Sequence, residues 1–123
     1  MSKTTKAGTI PVYGKDVILV QSIRHPGRLV LPKGKIKKGE NPLDAAKRET
    51  LEETGAIGTI DPTVVFYNDS TVYYLMRVDK LLKNYDEKDE RHRQQMKFDH
   101  VEDSLRVQDK IKRIVRDTKK HLE

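Results

Sequence analysis

The segment from Asn41 to Gly55 constrains this chain more than any other. Asn41 suits a helix N-cap, and Pro42 suits the first helical position, where its missing N–H costs nothing. Asp44 falls at the third position, where a carboxylate favours the positive end of the helix dipole and can reach back to the cap. Ala45, Ala46, Lys47, Arg48, Glu49, Leu51, Glu52 and Glu53 are good helix formers, and Gly55 is placed as a left-handed C′ residue. The spacing predicts one helix, with Leu43, Ala46, Thr50 and Thr54 on a face able to meet a sheet. Strand-like text flanks it. Ile10, Val12 and Val17-Ile18-Leu19-Val20 surround a polar turn, Tyr13-Gly14-Lys15-Asp16. A second turn, His25-Pro26-Gly27-Arg28, precedes a short strand at Leu29-Val30-Leu31, and a Gly/Lys loop runs over residues 32–40. Residues 56–60, 63–67 and 71–78 are also expected as strands, and the charged residues 83–96 as a loop. Val101, Leu105, Ile111, Ile114, Val115 and Leu122 fit a C-terminal helix or helix pair. Strands, one helix, more strands and a final helix make an α/β layered domain.

The central helix also carries the chemistry. Glu49, Glu52 and Glu53 lie at i, i+3 and i+4 and project from one face. Three carboxylates there repel one another unless a cation joins them, and hard cations such as Mg²⁺ take oxygen ligands while bridging to substrate phosphates. Taken alone, such a run is an ordinary solvated helix face. Its surroundings change that. The full pattern is Gly34-x5-Glu40-x7-Arg48-Glu49-Thr50-x-Glu52-Glu53-x-Gly55-Ala56.

This pattern resembles the Nudix box, the signature of hydrolases acting on nucleoside diphosphates linked to another moiety. Thr50 and Ala56 stand where that family prefers bulky aliphatics. The resemblance implies a single Nudix domain over residues 1–123 with its box at 34–56. The implied fold is an α/β/α sandwich around a mixed sheet. It implies Mg²⁺ or Mn²⁺, held by Glu49, Glu53 and the backbone of Gly34. Glu52 becomes the candidate proton acceptor, with Arg48 one turn before it as the residue that orients it, and Glu53 belongs with both as part of the catalytic set. The implied reaction is metal-assisted attack of water on phosphorus.

Residues outside the box bear on the substrate. Val20-Gln21-Ser22-Ile23-Arg24-His25-Pro26-Gly27-Arg28-Leu29, followed by Pro32-Lys33-Gly34, resembles the diphosphoinositol polyphosphate phosphohydrolases, which also cleave diadenosine polyphosphates. Leu29 replaces their usual Trp and Lys35 a Gly. Arg91-His92-Arg93, Phe98 and Val101-Glu102-Asp103-Ser104-Leu105 extend the likeness, while the chain is shorter between Phe66 and Thr71, where that family often carries another basic residue. The substrate-binding set implied is Ser22, Arg24, Arg28, Lys33, Gly34, Lys35, Arg91, Arg93 and, by analogy with a lysine of that family, Lys112. Charge agrees with a very anionic substrate. Lys33, Lys35, Lys37 and Lys38 crowd the presumed metal site, and without Trp and with only two Phe the chain is poorly equipped to stack a base. His25 and His92 have no metal-ligand spacing around them and are expected in turns.

Composition limits the remaining choices. Lys+Arg 25 against Asp+Glu 19 gives a net charge of +6, which favours anionic partners. No cysteine is present, so disulfides, thiolate metal sites and thiol catalysis are excluded. The longest aliphatic run, Val17 to Val20, is far short of a bilayer span of about 20 residues. A cytoplasmic monomer acting on an inositol pyrophosphate or a dinucleoside polyphosphate is the expectation. The alternatives are an mRNA-decapping or other nucleotide-pyrophosphate Nudix hydrolase and a non-catalytic Nudix-like binding module. The first draws on Pro32-Lys33-Gly34-Lys35-Ile36 and on the basic run from Lys110 to Lys120, which could hold RNA phosphates. Three retained, mutually repelling glutamates argue against the second.

Overall fold

The computed structural model describes residues 3–123. Its strands are β1 (Lys6–Tyr13), β2 (Asp16–Gln21), β3 (Leu29–Val30), β4 (Lys33–Lys35), β5 (Ala56–Asn68), β6 (Thr71–Leu81) and β7 (Arg93–Lys97). The helices are α1 (Pro42–Thr54), α2 (Phe98–Asp103) and α3 (Asp109–Leu122). The strands form a seven-stranded mixed sheet whose main path runs β3-β2-β1-β6-β5, with β4 paired to β1 and β7 to β2. Among the described residues only the β1–β6 pair is parallel.

Helices cover both faces of the sheet. On one, Ile10, Val12, Leu19, Leu31 and Leu75 pack with Val101, Ile111, Ile114 and Val115 of α2 and α3. On the other, α1 lies close because its buried side chains are small: Ala45 and Ala46 meet Ala7 and Val72. Thr50 follows them, fully buried. Its hydroxyl donates to the Ala46 carbonyl at 2.7 Å and accepts from Thr9 of β1, also at 2.7 Å. A hydrogen-bonded Thr pair therefore takes the place of an aliphatic contact between helix and sheet. The α1 ends match the sequence: Asn41 Oδ1 accepts the Asp44 N–H at 2.9 Å, and Gly55 adopts φ 74° while donating its N–H to Leu51 O.

Four expectations need correction. Residues 93–96, expected as loop, fall in β7, in register with the buried strand β2 from Asp16↔Lys97 to Val20↔Arg93. Arg-Gln-Gln-Met-Lys has little strand propensity; the free edge of β2 supplies the ladder and overrides it. Residues 33–35 pair with β1 rather than looping past it. The two strands expected over 56–60 and 63–67 are one continuous edge strand, interrupted by a register shift between Asp61 and Val65. Pro62 is tolerated because an edge strand need not donate on its outer side, and Asp61 Oδ1 takes the Thr63 N–H at 3.0 Å. Finally, Leu105 is fully exposed in the turn between α2 and α3, and Val107 is buried in the core instead.

Candidate active site

The loop from Lys33 to Asn41 brings Gly34 and Glu40 onto the acidic face of α1. Arg48 organises that face. Its Nε and Nη2 donate to the two carboxylate oxygens of Glu40, at 2.9 and 3.0 Å. Nη2 also reaches Lys35 O at 3.0 Å, and Nη1 reaches Glu49 at 2.6 Å and Glu52 at 3.2 Å. This fork holds the Glu40 carboxyl down to about pKa 2, helped by the Lys37 N–H, and raises the Arg48 guanidinium above its ordinary value.

Glu53 is in the opposite situation. It is 1% exposed, and burial pushes its carboxyl up to about 9; a hydrogen bond shared with Glu49 pushes the same way, and Arg91 opposes both. Lys33 N–H donates to Glu53 Oε1 at 3.4 Å, and Arg91 Nη1 lies 3.3 Å from the same oxygen. Gly34 lies against Glu49: any Cβ there would collide with the Glu49 carboxylate. A glycine is needed for that close approach.

This donor set fits a divalent cation. The Glu49 carboxyl neighbours the buried Glu53 and raises its pKa, a crowding that a cation would relieve, and the Gly34 backbone is pressed against Glu49. Among the described residues no three Asp, Glu or His side chains form a closed cage. Remaining ligands would come from backbone, water and substrate phosphate, as Mg²⁺ prefers.

A cleft of about 370 Å³ is lined by Lys6, Arg24, Lys33, Tyr73 and Lys110, with Asp69 among its walls 3.8 Å from Lys110; no box glutamate lines it, and it meets them through Lys33, whose N–H reaches Glu53 Oε1 at 3.4 Å. Burial lowers the Lys33 pKa, and the cations Lys6, Arg91 and Lys110 add to that, while Glu53 opposes it. Lys6 was not singled out from the sequence, and Lys110 only as part of a basic run able to hold RNA phosphates. Lys6 precedes the apolar part of β1, and Lys110 resembles its basic neighbours; only the fold distinguishes them. A cavity of about 440 Å³, bounded by Lys15, Phe98 and Leu122, lies at the Tyr13 end of β1, away from the glutamates.

The other sequence candidates scatter. Arg24 and Lys33 line the cleft. Arg91 faces the site but is engaged by Glu53 and by Glu87 at 2.9 Å. Ser22 Oγ accepts the His25 N–H at 3.1 Å within its turn. Arg28 is exposed and closes the same turn through its backbone. Lys35 is exposed opposite Lys6 in the β4–β1 ladder, outside the cleft lining. Arg93 is turned to backbone carbonyls of Thr54 and Leu82. Lys112, expected to reach the bowl, is half-buried within electrostatic reach of Glu102, and Lys110 occupies the cleft instead. One residue pair on a helix separates these two lysines in direction.

The family model for the NUDIX domain matches residues 3–117, and the chain belongs to the NUDIX domain family. It is 31% identical over 98 residues to the human diphosphoinositol polyphosphate phosphohydrolase 3-alpha, covering 75% of this chain and 59% of that protein. It is 48% identical over 56 residues to the m7GpppN-mRNA hydrolase dcap-2 of Caenorhabditis elegans, covering 38% of this chain but 7% of that protein. Among solved structures, the C. elegans Ap4A hydrolase binary complex superposes with a TM-score of 0.72 at 21% identity, covering 95% of this chain and 97% of that one. A NUDIX-family hydrolase from Clostridium perfringens gives 0.74 at 14%, with both chains fully covered. These two likenesses establish the fold. Among the described residues no helix is long and apolar enough to cross a membrane.

Proposed function

We propose that this chain is a Mg²⁺-dependent phosphohydrolase, also served by Mn²⁺, that cleaves the pyrophosphate bond of diphosphoinositol polyphosphates, with diadenosine polyphosphates as secondary substrates. It works as a single catalytic domain, a cytoplasmic monomer. The observation that carries the reading is the cleft lined by Lys6, Arg24, Lys33 and Lys110 and joined to Glu53 through the Lys33 N–H. Such a bowl suits a compact ligand with phosphates on several sides. Tyr73 is its one aromatic wall, and at 3% exposure it offers little face for a base to stack on.

Within this reading Glu49, Glu53 and the Gly34 backbone hold the cation. When bound, the cation neutralises phosphate oxygens and acidifies a coordinated water. Glu52 accepts the proton of the attacking water, and Arg48, 3.2 Å from it, fixes that carboxylate in direction and charge. A positioned base of this kind contributes roughly 10²–10⁴-fold. Arg24, Lys33 and Lys110 grip the phosphates, and Arg91 balances the buried charge of Glu53.

A second reading, capped-RNA hydrolysis, is favoured by the 56-residue likeness to dcap-2. The basic helix α3 supports it less than its composition suggests. Arg116 is paired with Glu102 at 2.8 Å, Lys119 with Asp99 at 3.5 Å and Lys120 with Asp117 at 3.9 Å, so much of its charge is answered locally. The deciding experiment is a substrate panel with and without Mg²⁺: an inositol pyrophosphate, diadenosine polyphosphates, capped RNA and nucleotide sugars. Preferential phosphate release from the inositol pyrophosphate supports the first reading; preferential cap release supports the second.

A further inference from the structure

After β6 the chain returns to the last turn of α1. Leu82 N–H donates to Gly55 O at 2.9 Å and Glu87 N–H donates to Glu52 O at 3.0 Å. Arg93 Nη1 donates to Thr54 O at 2.6 Å and to Leu82 O at 2.5 Å. The final carbonyls of a helix have no partner within it. Here distant residues supply partners, and Arg93 also supplies positive charge to a helix whose own last turn has no basic residue.

The contacts continue to the acidic cluster. The Arg93 guanidinium lies over the Tyr85 ring, 5.1 Å from its centre, and Tyr85 OH donates to Arg91 O at 3.0 Å. Arg91 is braced by Glu87 at 2.9 Å and stands 3.3 Å from Glu53. Arg93 itself is fixed in the sheet, opposite Val20. Gly55 makes room for this assembly: a Cβ there would come within 3.0–3.1 Å of Leu82 O, Arg93 Nη1 and Tyr85 Cδ1.

We infer that Arg93 and Tyr85 form a clip that sets the position of the Glu52–Glu53 turn, making Arg93 a positioning residue of the reaction and not a ligand of substrate phosphate. The inference rests on the phosphohydrolase reading above. Both N–H groups of Nη1 are committed to the two carbonyls and one face of the guanidinium rests on the ring, which holds the group at the end of α1. Its loss is felt where the clip ends, at Glu53 and the cation.

The test uses Arg93→Met, Arg93→Lys and Tyr85→Leu in the full chain. Mn²⁺ affinity is read by paramagnetic titration without substrate, and kcat and KM with an inositol pyrophosphate and a diadenosine polyphosphate. Arg93→Met should weaken Mn²⁺ about tenfold, the lower end for loss of a supporting partner in a metal site. It should lower kcat by a similar factor on both substrates, with KM nearly unchanged. Tyr85→Leu should move both readouts the same way by less. Arg93→Lys, which keeps the charge but serves fewer acceptors, should fall between the parent and Arg93→Met, and it secures the test should Arg93→Met unfold. Unchanged Mn²⁺ affinity in Arg93→Lys and Tyr85→Leu overturns the clip. So does a KM rise that is larger for the more highly charged substrate. Failure of the parent to hydrolyse either substrate would instead remove the functional reading, and the Mn²⁺ titration would still decide the clip.

Discussion

Arg48 grips Glu40 at two points, Nε on Oε2 at 2.9 Å and Nη2 on Oε1 at 3.0 Å, across eight positions of sequence. The same guanidinium touches Glu49 and Glu52, so the loop preceding the helix and the acidic face of the helix are one electrostatic unit. Loop order and carboxylate geometry are therefore coupled. A group that lies outside the proposed metal ligands thus contacts the carboxylates and bears on how they are presented.

The Glu40 carboxyl is held at about 2 against an ordinary 4.5. A depressed carboxylate stabilises the fold above its unfolded value and loses that contribution as pH falls toward its folded one. Glu40→Gln should therefore be less stable than the parent at pH 7, and the difference should close between about pH 4.5 and pH 2. Thermal unfolding of both proteins across that range checks it; a constant difference would contradict the pairing.

Glu53 carries the opposite sign. Its carboxyl is raised from 4.5 to about 9, so the cost of ionising it in place grows as pH rises through that window. Glu53→Gln mimics the protonated acid and can still donate to Glu49. In EDTA the variant should match the parent in stability below about pH 4.5 and exceed it increasingly as pH rises from there, the advantage levelling off near pH 9. Divalent binding and turnover should collapse together. Near-normal turnover at saturating Mg²⁺ would remove Glu53 from the cation site.

Thr9 and Thr50 test the contact between α1 and the sheet. Thr50→Val leaves the buried Thr9 hydroxyl without its acceptor and should cost about 1–3 kcal/mol in chemical unfolding. Thr9→Val with Thr50→Val removes both polar groups and should recover much of that loss. Additive losses would show that packing, and not the hydrogen bond, governs the contact.

Lys33 and Lys110 line the cleft together. Lys33→Ala with Lys110→Ala should weaken an inositol pyrophosphate more than a short dinucleotide, since the larger polyanion meets more of the bowl. KM values for both substrates decide this, and an equal loss on both would mean general attraction of phosphate.

The central helix was legible because its signals are local: Asn41, Pro42, Asp44 and Gly55 all act within a turn or so of themselves, and Glu49, Glu52 and Glu53 share a face by helical period alone. What stayed hidden is non-local. Nothing in Arg-Gln-Gln-Met-Lys announces a strand, because its pairing belongs to β2. Arg93 was expected at substrate because arginine suits phosphate, yet the β7 register delivers it to the end of α1. Lys110 and Lys112 are indistinguishable as text, and only the direction of α3 decides which one meets the cleft. Leu105 was assigned to an apolar stripe that a turn between two helices interrupts. A domain can thus declare its chemistry locally while its specificity depends on sheet order.

The central claim is that the cleft lined by Lys6, Arg24, Lys33 and Lys110 serves a compact polyanion. It is tested most directly by kcat/KM for an inositol pyrophosphate against a capped RNA, each with Mg²⁺ at two salt concentrations. The account predicts preference for the inositol pyrophosphate at both concentrations, with release of phosphate that stops in Glu53→Gln. More efficient cleavage of the capped RNA, falling steeply with salt as released counterions would require, would contradict it.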